Sequence, residues 1–383
     1  MPCHHAADRI QENAKTGVKN MKNTEILRIY GTDYTEMTKR LLARTGLEKE
    51  IPSPSARICL KPNLVTPTPA SYGATTHPEV TIGVIEYLKE HGFHNLTIAE
   101  GSWVGDKTTE AFEYCGYYAL ARKYDVKIID TKRERAVKTD AAGEELNICA
   151  CVKNFDFLIN IPVLKGHCQT QVTCALKNMK GLIPDSEKRR FHRMGLHKPI
   201  AHVNACIHQD FIVVDHICGD PSFEEGGNPL VRNCVMAAKD PVLTDAYACT
   251  VLGVAPEDVP YIRLAESLGI GSADLSKLSV ITCEGDDTED IPSAAKLLDV
   301  SYAVNEVDSC SACYASLAPA LQRLEQEGLL ERLPCPIAIG QGHKGSTGKI
   351  GVGECTSGFE YYVKGCPPDE EEVYNCLKQY ILS

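Results

Sequence analysis

Residues 96–130 read Leu-Thr-Ile-Ala-Glu-Gly-Ser-Trp-Val-Gly-Asp-Lys-Thr-Thr-Glu-Ala-Phe-Glu-Tyr-Cys-Gly-Tyr-Tyr-Ala-Leu-Ala-Arg-Lys-Tyr-Asp-Val-Lys-Ile-Ile-Asp. Leu96–Glu100 and Val126–Asp130 are short apolar runs, and the spacing between them predicts a helix over Thr108–Tyr124. Strand, helix, strand in so short a span is the pattern of parallel strands joined by a helical crossover. The pattern extends in both directions. Upstream, Met21–Tyr30 reads as a chain start leading into a first strand, Ala56–Leu60 as a strand and Pro78–His91 as a helix. Downstream, Phe157–Pro162, Phe211–Asp215 and Cys234–Ala238 read as buried strands. Pro241–Leu252 and Pro256–Leu268 read as helices, the second with proline in its favoured first turn. Gly269-Ile-Gly271 is a break, and Leu278–Cys283 is expected to open a smaller unit. The expected organisation is a loose tail over 1–20, an α/β domain over 21–275 with a largely parallel sheet flanked by helices, and a second, smaller α/β cluster-binding domain over 276–383.

A chain of 383 residues with 43% hydrophobic and 24% charged residues fits two globular domains. A net charge of −11 argues against non-specific nucleic-acid binding. No stretch approaches the roughly 18 apolar residues of a membrane span. Eighteen cysteines behind a polar N-terminus read as a reduced, cytoplasmic and anaerobic inventory, not a disulfide framework.

Four of those cysteines lie near the C-terminus: Cys310-Ser-Ala-Cys313, Cys355 in Gly-Val-Gly-Glu-Cys, and Cys366 in Lys-Gly-Cys-Pro-Pro. Four thiolates can hold a cubane iron-sulfur cluster or a tetrahedral zinc ion. One Cys-x-x-Cys knuckle with two singletons in glycine-rich loops favours a 4Fe-4S cluster, because glycine lets backbone amides approach anionic sulfides. Gly340–Gly345 is expected to wrap it, delivered by a strand over Pro336–Ile339. Cys149, Cys151, Cys168 and Cys174 read as small buried residues. The acidic run Asp369–Glu372 after two prolines reads as a helix N-terminus.

The large domain carries polar groups at its strand ends: Lys61-Pro62-Asn63, Glu100-Gly101-Ser102, Lys165-Gly166-His167 and Asp215-His216. Ligands of open α/β sheets sit outside the carboxyl ends of the strands. A lysine ending a buried apolar strand is costly unless it meets an anion. Residues 165–198 hold eight Lys or Arg against two acids, a local excess of six in an acidic chain, together with His167, His192 and His197. Lysine as point charge and histidine as proton donor suit a pocket for a small carboxylate or phosphate. Lys188-Arg189-Arg190 suits a solvated loop, so Lys188 and Arg189 are expected outside it.

The blocks Lys61-Pro-Asn-Leu64, Thr75-Thr-His-Pro-Glu-Val80, Val163-Leu-Lys-Gly-His167, Ala175-Leu-Lys-Asn-Met-Lys-Gly181, Val214-Asp215 and Lys239-Asp-Pro-Val242 with Asp245-Ala246 resemble the signature of the domain-of-unknown-function family 362. The resemblance runs over roughly Lys61–Gly271 and implies association with iron-sulfur modules in anaerobic bacteria and archaea. Members often append a closely spaced ferredoxin-type cysteine run, which this chain lacks. Its C-terminal cysteines instead resemble, over about sixty residues, the proximal 4Fe-4S site of nickel-iron hydrogenase small subunits and the related complex I subunit. That resemblance implies a cluster at Cys310, Cys313, Cys355 and Cys366, although Asp369–Glu372 departs from the usual continuation and hydrogenase activity is not implied.

The sequence reading is an oxidoreductase of anaerobic metabolism. Lys165, His167, Lys61 and His77 are the expected catalytic groups, and Asn63, Lys177, Asn178, Lys180, His192 and Asp215 the expected contacts to a small anionic substrate. The expected donor or acceptor is a ferredoxin- or flavodoxin-type protein, with no nucleic acid or membrane partner, and the chain is compatible with a homodimer. Two alternatives stay open: a non-redox isomerase or racemase, since Thr76-His77-Pro78 with the strand-end Lys and His resembles the lactate racemase fold, and an electron-carrier or interaction protein. Gly269-Ile-Gly271 and Gly340-Gln-Gly342 lack the context of a dinucleotide fingerprint.

Overall fold

The computed structural model describes residues 20–383 apart from 168, 222, 223, 225–228, 288–299, 308 and 310. The tail expected over 1–20 lies outside the described residues except for Asn20, as do Cys168 and Cys310. Sixteen strands are described in chain order: β1 (Glu25–Tyr30), β2 (Ile58–Pro62), β3 (Leu96–Glu100), β4 (Lys127–Asp130), β5 (Ala136–Ala141), β6 (Glu144–Cys149), β7 (Phe157–Ile161), β8 (Lys165–His167), β9 (Gln171–Thr173), β10 (Phe211–Gly219), β11 (Leu230–Ala238), β12 (Ser279–Glu284), β13 (Val304–Glu306), β14 (Ile337–Ile339), β15 (Ile350–Val352) and β16 (Tyr361–Val363).

Eight of them form one sheet in the order β12-β1-β11-β10-β7-β2-β3-β4. Every neighbouring pair is parallel except the two that involve β11. β2, β3 and β7 are buried at every position, as strands covered on both faces must be. Alternate residues feed two separate cores: Cys59, Leu158 and Val214 point to one face, Leu60, Ile159 and Val213 to the other. Among the described residues, no helix is long and apolar enough to cross a membrane.

The helices on those faces begin where the sequence supplies caps. Helix α1 (Tyr34–Leu42) is capped by Asp33, and α2 (Pro78–Glu90) starts on a proline. The single helix expected over Thr108–Tyr124 is two, α3 (Thr108–Tyr114) and α4 (Tyr117–Tyr124). Gly116 separates them at φ +77°, a left-handed conformation that glycine adopts without a side-chain clash. Four helices follow: α5 (Ala175–Asn178), α6 (Asp185–Met194), α7 (His197–Cys206) and α8 (Pro241–Val251). Asp240 caps α8 through the Val242 and Leu243 amides at 2.8 and 3.0 Å. The helix expected from Pro256 is a 3₁₀ turn followed by α9 (Pro260–Ser267), restarted by the second proline.

Leu278–Cys283 does not open the smaller unit: as β12 (Ser279–Glu284) it joins the edge of the large sheet, parallel to β1. The small sheet therefore begins at Val304, with β13, β14, β15 and β16 side by side and parallel. Helices α10 (Ser311–Gln326) and α11 (Glu370–Leu382) cover it through their own core, with Leu317, Leu321, Val373 and Leu377 fully buried. The acidic run opens α11 as expected: Asp369 accepts from the Glu371 and Glu372 amides, and three glutamates lie at the positive end of the helix dipole.

Candidate functional site

Chain leaving the carboxyl ends of β2 and β3, the segment Thr173–Arg189, and the loops after β14 and β16 together enclose a cavity of about 820 Å³. Its wall includes Asn63, Glu100, Trp103, Lys177, Asn178, Lys180, Lys188, Arg189 and Glu224 from the large unit, and Gln341, Cys366 and Pro367 from the small one. The two units are tied beside it by Gln169, whose side-chain amide donates to the Ser309 carbonyl at 2.8 Å and to Glu306 Oε1 at 3.2 Å.

Behind the wall, Lys61 lies one residue before the end of β2 and is fully buried. Its Nζ lies 2.6 Å from Glu100 Oε2 and donates to the Pro62 carbonyl at 2.8 Å and to Asn178 Oδ1 at 3.3 Å. Burial pushes the ammonium below its ordinary range and Glu100 opposes that shift. The same carboxylate accepts from the Leu64 and Gly101 amides at 3.2 and 2.6 Å. Gly181 packs directly on this pair: a methyl group there would overlap Glu100 Oε1 and sit 2.6 Å from Lys61 Nζ.

Asn178 is committed structurally as well as facing the cavity. Its side-chain nitrogen donates to the Lys61 carbonyl at 3.1 Å and to Asn160 Oδ1 at 2.7 Å. Asn160 continues to Gln209 (2.7 Å), and Gln209 to Asn204 (2.8 Å), a buried amide chain beneath α5. Asp245 fixes the start of α5 by accepting from the Ala175 and Leu176 amides at 2.6 and 3.2 Å. Its burial raises the carboxyl to about 7 although those amides pull it down.

Around the rim, Lys177 pairs with Glu224 Oε1. His167 Nε2 lies 3.0 Å from the other Glu224 oxygen, but off the line of a hydrogen bond. His167 Nδ1 accepts from the Gln169 and Thr170 amides at 3.0 and 3.1 Å, which leaves Nε2 to carry the proton of the neutral ring. Burial and then the Lys177 ammonium bring His167 down to about 4, against the pull of Glu224. Lys165 is buried with Nζ on the Ala74 carbonyl and 2.7 Å from the Glu224 carbonyl. Lys188 is 4% exposed and donates to the Gly101 and Ser102 carbonyls at 2.9 and 2.7 Å.

His77 and Asp215 form a second buried pair. Asp215 Oδ2 accepts from the His77 backbone amide at 2.7 Å and lies 2.9 Å from Nδ1. Burial opposes the charge, yet Asp215 outweighs it and lifts the imidazole to about 10.

The structure thus brings Asn63, Lys177, Asn178 and Lys180 to the cavity wall. Among the described residues, Lys61, Lys165, His167, His77 and Asp215 are not part of it. His192 lies in α6, and its side chain is outside the described set. The expectation for Lys188 and Arg189 is overturned: both line the cavity, Lys188 buried in its wall and Arg189 exposed at its opening. Glu224 and Trp103 were missed, having no local signal. Glu100 was visible only as one of the polar strand ends.

In the small unit, the turns after β15 and β16 lie side by side, with Gly353 donating to the Val363 carbonyl (2.8 Å) and Glu354 to the Gly365 carbonyl (2.9 Å). They carry Cys355 and Cys366. Gly353, at φ +89°, leaves room for the Cys313 sulfur, which a methyl group there would approach to 3.2 Å. The soft donor set and this glycine cradle fit a cluster or zinc ion. Among the described residues no three His, Cys, Asp or Glu side chains already converge as a metal site, and Cys310 lies outside them. Cys149, Cys151 and Cys174 are buried in the large unit, as expected, and Cys174 belongs to the core on one face of the sheet.

A family model described as a domain of unknown function, DUF362, matches residues 58–250. The chain belongs to that family. The DUF362 match contains every large-unit residue named above as lining the cavity. The chain is also 26% identical over 244 residues to a thylakoid-associated protein of Synechocystis, covering 61% of this chain and 74% of that one. Among solved structures, the lactate racemase apoprotein of Thermoanaerobacterium thermosaccharolyticum aligns with a TM-score of 0.41 at 13% identity, and a Thermotoga maritima protein with 0.37 at 14%. The alignments cover 59% and 65% of this chain but only 57% and 60% of those chains, and carry no argument about chemistry.

Proposed function

We propose that the protein is an iron-sulfur oxidoreductase that exchanges electrons with a small anionic substrate held in the cavity between its two units. The observation that carries this reading is that one cavity is walled both by Lys177, Lys180, Lys188 and Arg189 and by Cys366. Four cations face two carboxylates, Glu100 and Glu224. Lys177 is matched by Glu224, and Lys188 by backbone carbonyls and by Asp185 at 3.4 Å. Lys180 and Arg189 make no hydrogen bond or ion pair to a described residue through their side chains, and Asn63 leaves its amide nitrogen similarly unengaged.

Cys310, Cys313, Cys355 and Cys366 would hold a 4Fe-4S cluster, which supplies one-electron transfer. Lys180, Arg189 and Asn63 bind the substrate anion, and Lys177 holds Glu224 in place. Neutral His167, its Nδ1 held by two backbone amides and its Nε2 proton beside Glu224, positions that carboxylate and donates no proton. The Lys61–Glu100 pair, His77 and Asp215 position the strand-end loops and do not touch substrate. A ferredoxin- or flavodoxin-type protein would exchange the electrons.

The test is purification without oxygen followed by iron, sulfide and zinc analysis and spectra before and after dithionite. About four irons and four sulfides per chain are expected, with loss of both in Cys355→Ala. Stoichiometric zinc would overturn the redox reading. So would a dithionite-reduced chain that no small carboxylate, oxo acid or phosphate ester reoxidises.

A further inference from the structure

The geometry points to Lys180 as a nucleophile that condenses with the carbonyl of a small 2-oxo acid whose carboxylate is taken by Arg189. This rests on the cavity being an anion site, the reading given above, and adds to it a substrate class and a covalent step. Lys180 opens into the cavity and makes no side-chain hydrogen bond or ion pair among the described residues, whereas Lys61, Lys165, Lys177 and Lys188 all do. A lysine held for structure alone would be expected to have such partners. Burial, and next the Lys177 ammonium, bring Lys180 down to about 7; Glu224 opposes and Lys188 adds a smaller push. A desolvated amine beside a second cation is the environment that frees a lysine lone pair near neutral pH.

In the step itself, Lys180 Nζ attacks the carbonyl carbon, a C–N bond forms, and the carbonyl oxygen leaves as water with the two amine protons. The product is an imine, and no net oxidation or reduction occurs. Arg189 is the cation left for the carboxylate: its guanidinium is exposed on the same wall and has no ion-pair partner among the described residues.

The chain's sole tryptophan, Trp103, lines this cavity and reports entry of a ligand independently of any reaction. The full-length protein is incubated with pyruvate and cyanoborohydride, digested and mapped by mass spectrometry, while Trp103 fluorescence is titrated with pyruvate alone. Lys180 is expected to gain the mass of pyruvic acid less one oxygen, about tenfold faster than it gains the corresponding acetone adduct, because acetone lacks the carboxylate. In Lys180→Arg the adduct should vanish. Quenching without an adduct on Lys180, or an adduct spread equally over surface lysines such as Lys107, refutes the imine and leaves the anion site standing. Equal labelling by acetone and pyruvate refutes the 2-oxo acid assignment. Neither quenching nor adduct removes both the imine and the anion site beneath it.

Discussion

Glu100→Gln should destabilise the protein in a way that depends steeply on pH. Glu100 is 3% exposed and three donors converge on its carboxylate: Lys61 Nζ at 2.6 Å and the Leu64 and Gly101 amides. Removing its charge leaves the buried Lys61 ammonium with two neutral acceptors, Pro62 O and Asn178 Oδ1. Breaking a buried pair in this way costs about 3–5 kcal/mol. The cost has a ceiling, because Lys61 can give up its proton instead. From a reference pKa of about 10.4 and about 1.36 kcal/mol per pH unit, neutralising it costs about 4.6 kcal/mol at pH 7 and about 1.9 at pH 9. The unfolded variant then binds a proton that the folded variant has released, so its stability rises with pH. A pH-independent part is added, since the new amide group must face one of the three donors, at about 1–3 kcal/mol. Urea unfolding at pH 7 and pH 9, followed by far-ultraviolet circular dichroism, should show the gap to wild type narrowing by up to about 2.7 kcal/mol. A gap of the same size at both pH values would refute the account of Lys61 as a charge held buried by Glu100.

Gly181→Ala should lower the melting temperature through overpacking worth about 1–3 kcal/mol, since its methyl would overlap the Glu100 carboxylate; an unchanged melting temperature in a thermal scan would contradict the close approach. His77 and His167 should titrate at opposite ends of the pH scale in ring-proton NMR. His77, raised by Asp215 to about 10, contributes stability that is complete below its unfolded value and lost as pH rises through 10; Asp215→Asn should bring its titration down. His167, lowered to about 4, contributes stability present above its unfolded value and lost as pH falls through 4. Either ring titrating near an ordinary value of about 6.5 would contradict its described surroundings.

The alternation from β2 to β4 was readable because short, mainly apolar runs at strand length are written locally, with Lys61 and Glu100 marking the ends of two of them. The helix break at Gly116 could have been read from the glycine itself, yet the periodicity on both sides hid it. β12 was assigned to the wrong unit because its partner is β1, at the far end of the chain. Lys188 and Arg189 looked like a solvated basic run because charge density along a sequence does not say which face of a helix meets a cavity.

The sequence by itself determined the α/β class, the polar strand ends, the basic stretch within an acidic chain and the four C-terminal cysteines. All of these follow from residue type and short-range spacing. Only the tertiary structure decided which cations are already neutralised. Glu100 meets Lys61 across 39 positions and Glu224 meets Lys177 across 47, and such pairings have no local trace. What those pairings leave over, Lys180 and Arg189 facing Cys366 across one cavity, is set by packing because Coulomb attraction depends on distance in space and not along the chain.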